Sequence, residues 1–206
     1  ILNSEPTSNL QVPDVVIGQA DFTQRYINNT PGAIGTVSAR SLQYPYRVWA
    51  GSVGGTDKMV ITDTNNHRVL IWNSIPTTSH TPADIVLGQG NMTLNSADGG
   101  DRTRGLQSPV GVWSDGTKLY VTDSANHRVL IWNTFPTSNF ATPNVYLGQS
   151  TSTGEGFDCT IAEGMRSPSG VWSDGTTLLV ANTSCHRVAV YNPIPVTGMT
   201  APITIL

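Results

Sequence analysis

Lysine is nearly absent from this 206-residue chain: it occurs only at Lys58 and Lys118, and charged residues of all kinds make up 12% of the sequence. Neutralising a nucleic-acid backbone needs clustered Lys and Arg, so so sparse a basic complement argues against a nucleic-acid partner. The formal net charge of -3 is too small to call for a cationic partner. No run approaches the roughly 18 apolar residues of a membrane span, and no charged segment followed by an apolar one opens the chain as in a secretory leader. Helical periodicity is missing as well. No segment places apolar residues three and four apart over ten positions or more, which excludes an amphipathic α-helix.

What fills the chain instead is Ser, Thr, Asn and Gly arranged in tandem copies. The segments starting at Ile1 ("ILNSEPTSNLQVPDVVIGQ"), Ile71 ("IWNSIPTTSHTPADIVLGQ") and Ile131 ("IWNTFPTSNFATPNVYLGQ") align without gaps. Gln19, Gln89 and Gln149 step by 70 and 60 residues, and His67, His127 and His186 by 60 and 59. The extra ten residues of the first step are six between Gln19 and Pro45 and four in "AGSVGGTDK", the counterpart of "SDGTK". Insertions confined to turns imply a fixed frame beneath them.

Four short strands are predicted per unit, each bounded by turn residues. In the central copy they are "GVW" at 111–113, "KLYVTD" ending at Asp123, "RVLIWN" from Arg128, and "NVYLGQ" ending at Gln149. Asp115-Gly116 suits the tight turn between the first two. Runs such as Val129 to Trp132 lack strict alternation, the mark of a strand covered on both faces. Antiparallel four-stranded units, stacked so that each covers the next, have the logic of β-propeller blades, and the predicted fold class is an all-β β-propeller made of such blades.

The runs "DTNNHRVLIWN" and "DSANHRVLIWN" resemble the NHL repeat, and the extension "NSIPTTSHTPADIVLGQ" is similar to that of bacterial tandem NHL proteins. The third copy departs from the signature, with Asn182 in place of Asp and Cys185 in place of Asn. The resemblance implies a half-blade at 1–19, blades at 44–89, 108–149 and 167–206, and linkers at 20–43, 90–107 and 150–166. About three and a half blades are fewer than a ring needs, so the expectation is a segment of a longer polypeptide or a ring completed by another chain. Standing alone, it would leave two blade faces uncovered.

Within the repeat signature, Asp63, Asn66, His67 and Arg68, their copies Asp123, Asn126, His127 and Arg128, and His186 with Arg187 are expected to be structural. The aspartates are expected to accept backbone N–H groups of the turn, with Asn66 and Asn126 taking positive φ. A shared zinc is disfavoured: equivalent positions on adjacent blades lie more than roughly 10 Å apart, whereas zinc holds its nitrogens at about 2.0–2.1 Å. No metal and no cofactor is expected. Recurring Trp49, Trp113, Trp172, Trp72 and Trp132, with Tyr191, are expected to pack between blades. Strands alternate in direction, which brings the linker before a blade and that blade's second turn to one end. A Cys159–Cys185 disulfide is therefore expected over two free thiols.

Specificity then falls to the linkers, where the copies differ most in length and charge. Candidate binding residues are Asp98, Asp101, Arg102 and Arg104 in "NSADGGDRTRG", Glu155 and Asp158 in the next linker, and Arg47, which replaces Gly111 and Gly170 of the other inner strands. The expected function is a non-enzymatic binding or scaffolding module, extracellular or periplasmic, with a protein partner or with further copies or segments that complete the ring. No catalytic residue is assigned, because the inner strands "PYRVWAG", "PVGVWSD" and "PSGVWSD" offer no His or Glu. The alternative is a propeller hydrolase or lyase with a metal in the central channel, its ligands supplied mainly by parts of the protein outside this segment.

Overall fold

A computed structural model describes residues 1–2, 5, 7–8, 11–29 and 35–206. The expected half-unit at 1–19 and linker at 20–43 therefore each include positions outside the described residues. The chain is all-β, with three four-stranded antiparallel sheets. The first holds β1 (Pro45–Val53), β2 (Thr56–Asp63), β3 (Arg68–Trp72) and β4 (Ile85–Leu87). The second holds β5 (Pro109–Ser114), β6 (Leu119–Asp123), β7 (Arg128–Trp132) and β8 (Val145–Leu147). The third holds β9 (Gly170–Ser173), β10 (Leu178–Asn182), β11 (Arg187–Tyr191) and β12 (Thr204–Ile205), and in all three the strands lie in chain order. Among the described residues helical turns are limited to short 3-10 pieces, one of which joins the second and third strands of every sheet.

The hairpin chemistry is local. Gly116 has φ 89°, a conformation closed to most side chains, while Asp115 Oδ1 accepts the N–H groups of Thr117 and Lys118. A second local feature was not foreseen. The register of β1 on β2 shifts between Pro45 and Val48, and that of β5 on β6 between Pro109 and Val112. At each bulge a threonine hydroxyl replaces the missing ladder acceptor: Thr62 Oγ1 takes the Arg47 N–H at 2.8 Å and Thr122 Oγ1 the Gly111 N–H at 2.6 Å. The third sheet has Ala181 at that position, which offers no hydroxyl, and β9 pairs Gly170 directly with Ala181.

The sheets stack through apolar faces. Val60, Val69 and Ile71 of the first sheet meet Leu119, Val121, Leu130 and Trp132 of the second. Tyr120, Val129 and Ile131 on the second sheet's other face meet Leu178, Val180, Ala189 and Tyr191 of the third. The outer face of the first sheet, with Ile61, Leu70 and Trp72, is covered by Ile1, Ile17 and Leu42. Both faces of β6 and β7 are consequently buried, which explains their unbroken apolar runs. In the third sheet burial alternates, and Leu179, Val188 and Val190 lie half-buried beside Trp172, which is 40% exposed. On the first sheet Tyr46 and Val48 are exposed.

Trp72 and Trp132 are buried, their indole N–H groups donating to the carbonyls of Thr81 and Ala141. Trp113 reaches across to the Ser173 carbonyl at 2.7 Å, tying the second sheet to the third. β1 contacts β5 and β5 contacts β9, so the first strands of the three sheets run side by side.

Candidate functional site

The turn between the second and third strands is a buried charge network. Asp63 Oδ1 accepts the Gln43 N–H at 2.6 Å, and Oδ2 accepts Asn66 Nδ2 at 2.8 Å and Arg68 Nε at 2.7 Å. Asp123 repeats this with Gln107, Asn126 and Arg128 at 2.7, 2.9 and 2.7 Å. Both ion pairs are fully buried. Burial pushes the two carboxyls up from the ordinary carboxylate range, against the pull of the guanidinium and the N–H donors.

Two details of the expected turn are corrected. The backbone N–H that each aspartate accepts comes from the glutamine two positions before its own sheet's first strand, Gln43 or Gln107, not from the turn. Positive φ falls on the histidines, His67 at 53°, His127 at 56° and His186 at 53°, and not on Asn66 or Asn126, whose amides are held by the aspartates. A left-handed histidine turns its ring towards the next unit. His67 Nδ1 accepts the Ser108 N–H and His127 Nδ1 accepts the Ser167 N–H, each at 3.1 Å.

Arg68 and Arg128 use their remaining donors on the linkers. Arg68 donates to the carbonyls of Ser38 and Ser41 on one side and Met92 on the other. Arg128 donates to those of Arg102, Gly105 and Ser152. Each buried guanidinium thus gathers the linkers before and after its own sheet. In the third sheet Asn182 Oδ1 still takes the Arg166 N–H at 2.8 Å, but an amide stands where the other turns have the carboxylate, and among the described residues the buried Nε of Arg187 has no hydrogen-bond partner. Arg187 still donates to the carbonyls of Ile161 and Gly164 in its linker.

The candidate binding residues divide into groups. Asp98 Oδ1 accepts Asn126 Nδ2 at 2.7 Å, its Oδ2 pairs with Arg102 at 2.9 Å, and Arg102 reaches Glu155 of the following linker at 2.7 Å. Asp101 pairs with Arg104, whose guanidinium lies 4.4 Å over the Phe140 ring. That pairing holds the Asp101 carboxyl below the ordinary carboxylate range, chiefly through the Arg104 hydrogen bond. Asp158 is turned back on its own loop, where Thr160 hydrogen bonds lower its pKa. Arg47 stands apart from the linkers, in a cavity of about 240 Å³ between the first strands, lined also by Val48, Gly111, Trp113, Gly170 and Val171.

Cys159 and Cys185 are joined in a disulfide with 5.3 Å between their Cα atoms. Its place in the repeat was not anticipated. In the first unit Asn28 and Asn66 exchange side-chain hydrogen bonds at 2.8 and 3.3 Å, and in the second Asp98 bonds Asn126. Cys185 is the counterpart of Asn66 and Asn126, so the disulfide ties linker to turn where the other units use a polar pair. The signal was present in the sequence: Asn28 and Asp98 are separated by the 70 residues that separate Gln19 from Gln89.

Also missed was the linker-closing role of the repeat glutamines. Gln19 Nε2 donates to the Tyr26 carbonyl, Gln89 Nε2 to Ser96 and Gln149 Nε2 to Gly156, seven residues on in each case. Phe157 is likewise new to the site: it packs edge-on to His127 with ring centroids 4.9 Å apart and carries the Arg166 guanidinium at 4.4 Å. Among the described residues no three His, Cys, Asp or Glu side chains converge in a way that would hold a metal ion, and no helix is long and apolar enough to cross a membrane. No protein-family model and no curated protein matches this chain.

Proposed function

We propose that the three sheets are blades of an NHL-type β-propeller, and that the protein is a binding or scaffolding module working outside the cytoplasm, its linkers recognising a protein partner. The observation that carries this reading is the order of the strands. β1, β5 and β9 run side by side around one cavity, while β4, β8 and β12 form the opposite edges of their sheets, the arrangement that radial stacking of blades requires. The linkers share one end with the second turns. Their described parts are bound to those turns by Arg68, Arg128, Asp98 and the disulfide, which holds them ordered before any partner binds. A disulfide and a scarcity of lysine fit an oxidising compartment.

A cross-linking comparison tests the proposal. Wild-type protein, a linker variant (Asp101→Lys with Glu155→Lys) and a control on the β1–β2 hairpin (Asp57→Lys) are each exposed to extract from the native source. The linker variant is expected to lose the wild-type adduct and the hairpin variant to keep it. Loss through the hairpin alone would move recognition to the opposite end. Stoichiometric zinc or calcium in purified untagged protein would favour the alternative of a metal hydrolase or lyase acting in the cavity.

A further inference from the structure

We infer that the two histidine-to-serine contacts form an acid-sensitive joint between consecutive sheets: a proton on Nδ1 of His67 or His127 uncouples its turn from the first strand of the next sheet. The inference is independent of what the linkers bind. Ser108 and Ser167 have φ of 49° and 47°, left-handed values in which the amide N–H points away from the strand ladder. Among the described residues the acceptor of each N–H is an imidazole nitrogen, at 3.1 Å. An imidazole nitrogen accepts only when it carries no proton, so the contact requires the neutral ring with its hydrogen on Nε2. A proton taken from solvent by Nδ1 sets two donors against each other, and the serine amide is left without a partner.

The surroundings do little to favour the charged ring. Burial lowers the His67 pKa from the ordinary 6.5, with Asp98 and Asp63 opposing, but those carboxylates are engaged by Arg102 with Asn126 and by Arg68 with Asn66. Burial also lowers the His127 pKa, Arg166 adds to the effect, and the Ser124 backbone contact and Glu155 oppose it, Glu155 being paired with Arg102. Among the described residues no side chain hydrogen-bonds to Nε2 of either ring. With the folded value below the unfolded one, the joint is at full strength above about pH 6.5 and is lost as pH falls through the folded value. His186 occupies the same left-handed position but makes no such contact among the described residues, which provides an internal control.

The test is amide hydrogen exchange on the full chain, corrected for the intrinsic pH dependence of exchange. Protection at Ser108 and Ser167 is expected to fall about tenfold between about pH 7 and about pH 5, while Leu130 in β7 changes far less. Long-range proton–nitrogen spectra should show the Nε2–H tautomer for His67 and His127 and titration below 6.5. The His67→Gln, His127→Gln double variant is expected to flatten the pH dependence and His186→Gln to leave it intact. If the double variant fails to fold, the wild-type spectra and exchange data decide alone. Protection that does not vary with pH, the Nδ1–H tautomer, or titration at or above 6.5 would overturn the joint.

Discussion

Cys185 and Cys159 make covalently the link that Asn126 and Asp98 make by hydrogen bond one unit earlier. The bridge closes a loop across 26 residues, a length at which restricting the unfolded chain stabilises the fold by about 3 kcal/mol. Replacing both cysteines with alanine is expected to lower the unfolding free energy by about that amount in a denaturant titration. Cys159→Asp with Cys185→Asn should recover about 1 kcal/mol by rebuilding the polar pair. No recovery would mean that the third linker follows a different path from the second.

Asn182→Asp places a carboxylate beside Arg187, whose buried Nε lacks a hydrogen-bond partner among the described residues. The expected gain is about 1 kcal/mol, the charge-assisted bond offsetting the lost contact from Asn182 Nδ2 to the Gly164 carbonyl. Thermal unfolding at neutral pH reads this directly, and a lowered midpoint would show that the third turn has adapted to the amide.

Removing Asp123 leaves Arg128 buried and uncompensated. Asp123→Ala should cost about 3–5 kcal/mol, whereas adding Arg128→Met should cost far less than the sum of the two single changes. A double-mutant cycle with additive costs would show that the ion pair is not the centre of the turn.

The two linker carboxylates should respond differently to charge reversal. Asp101→Lys disrupts a pair with Arg104 in which both side chains are more than a third exposed, and its effect should stay within about 0.5 kcal/mol. Asp98→Lys also removes the partner of buried Asn126, so about 1–2 kcal/mol is expected. Equal effects in denaturant titrations would mean that the Asp98–Asn126 bond adds nothing to stability.

Much of this molecule is written in short-range patterns. The repeat step, the four strands of each unit, the Asp115-Gly116 turn and the drift at Asn182 and Cys185 are all legible along the chain, because strand period and turn chemistry act over a few residues. The bulges at Arg47 and Gly111 were less visible. They depend on one hydroxyl of a partner strand, from Thr62 or Thr122, and the Ala181 variant marks where it is lost.

By itself the sequence determined the strands, their order and the turns that separate them, since hydrophobic alternation and left-handed glycine are properties of neighbouring residues. Tertiary structure alone decided which groups meet. His67 finds the Ser108 amide 41 positions away, Arg68 draws in carbonyls from two linkers, and Glu155 is claimed by Arg102 of a different linker. Such contacts depend on how one sheet is set against the next, and that spacing is fixed by the packed faces of Val129 and Val180 and their neighbours, not by any local run.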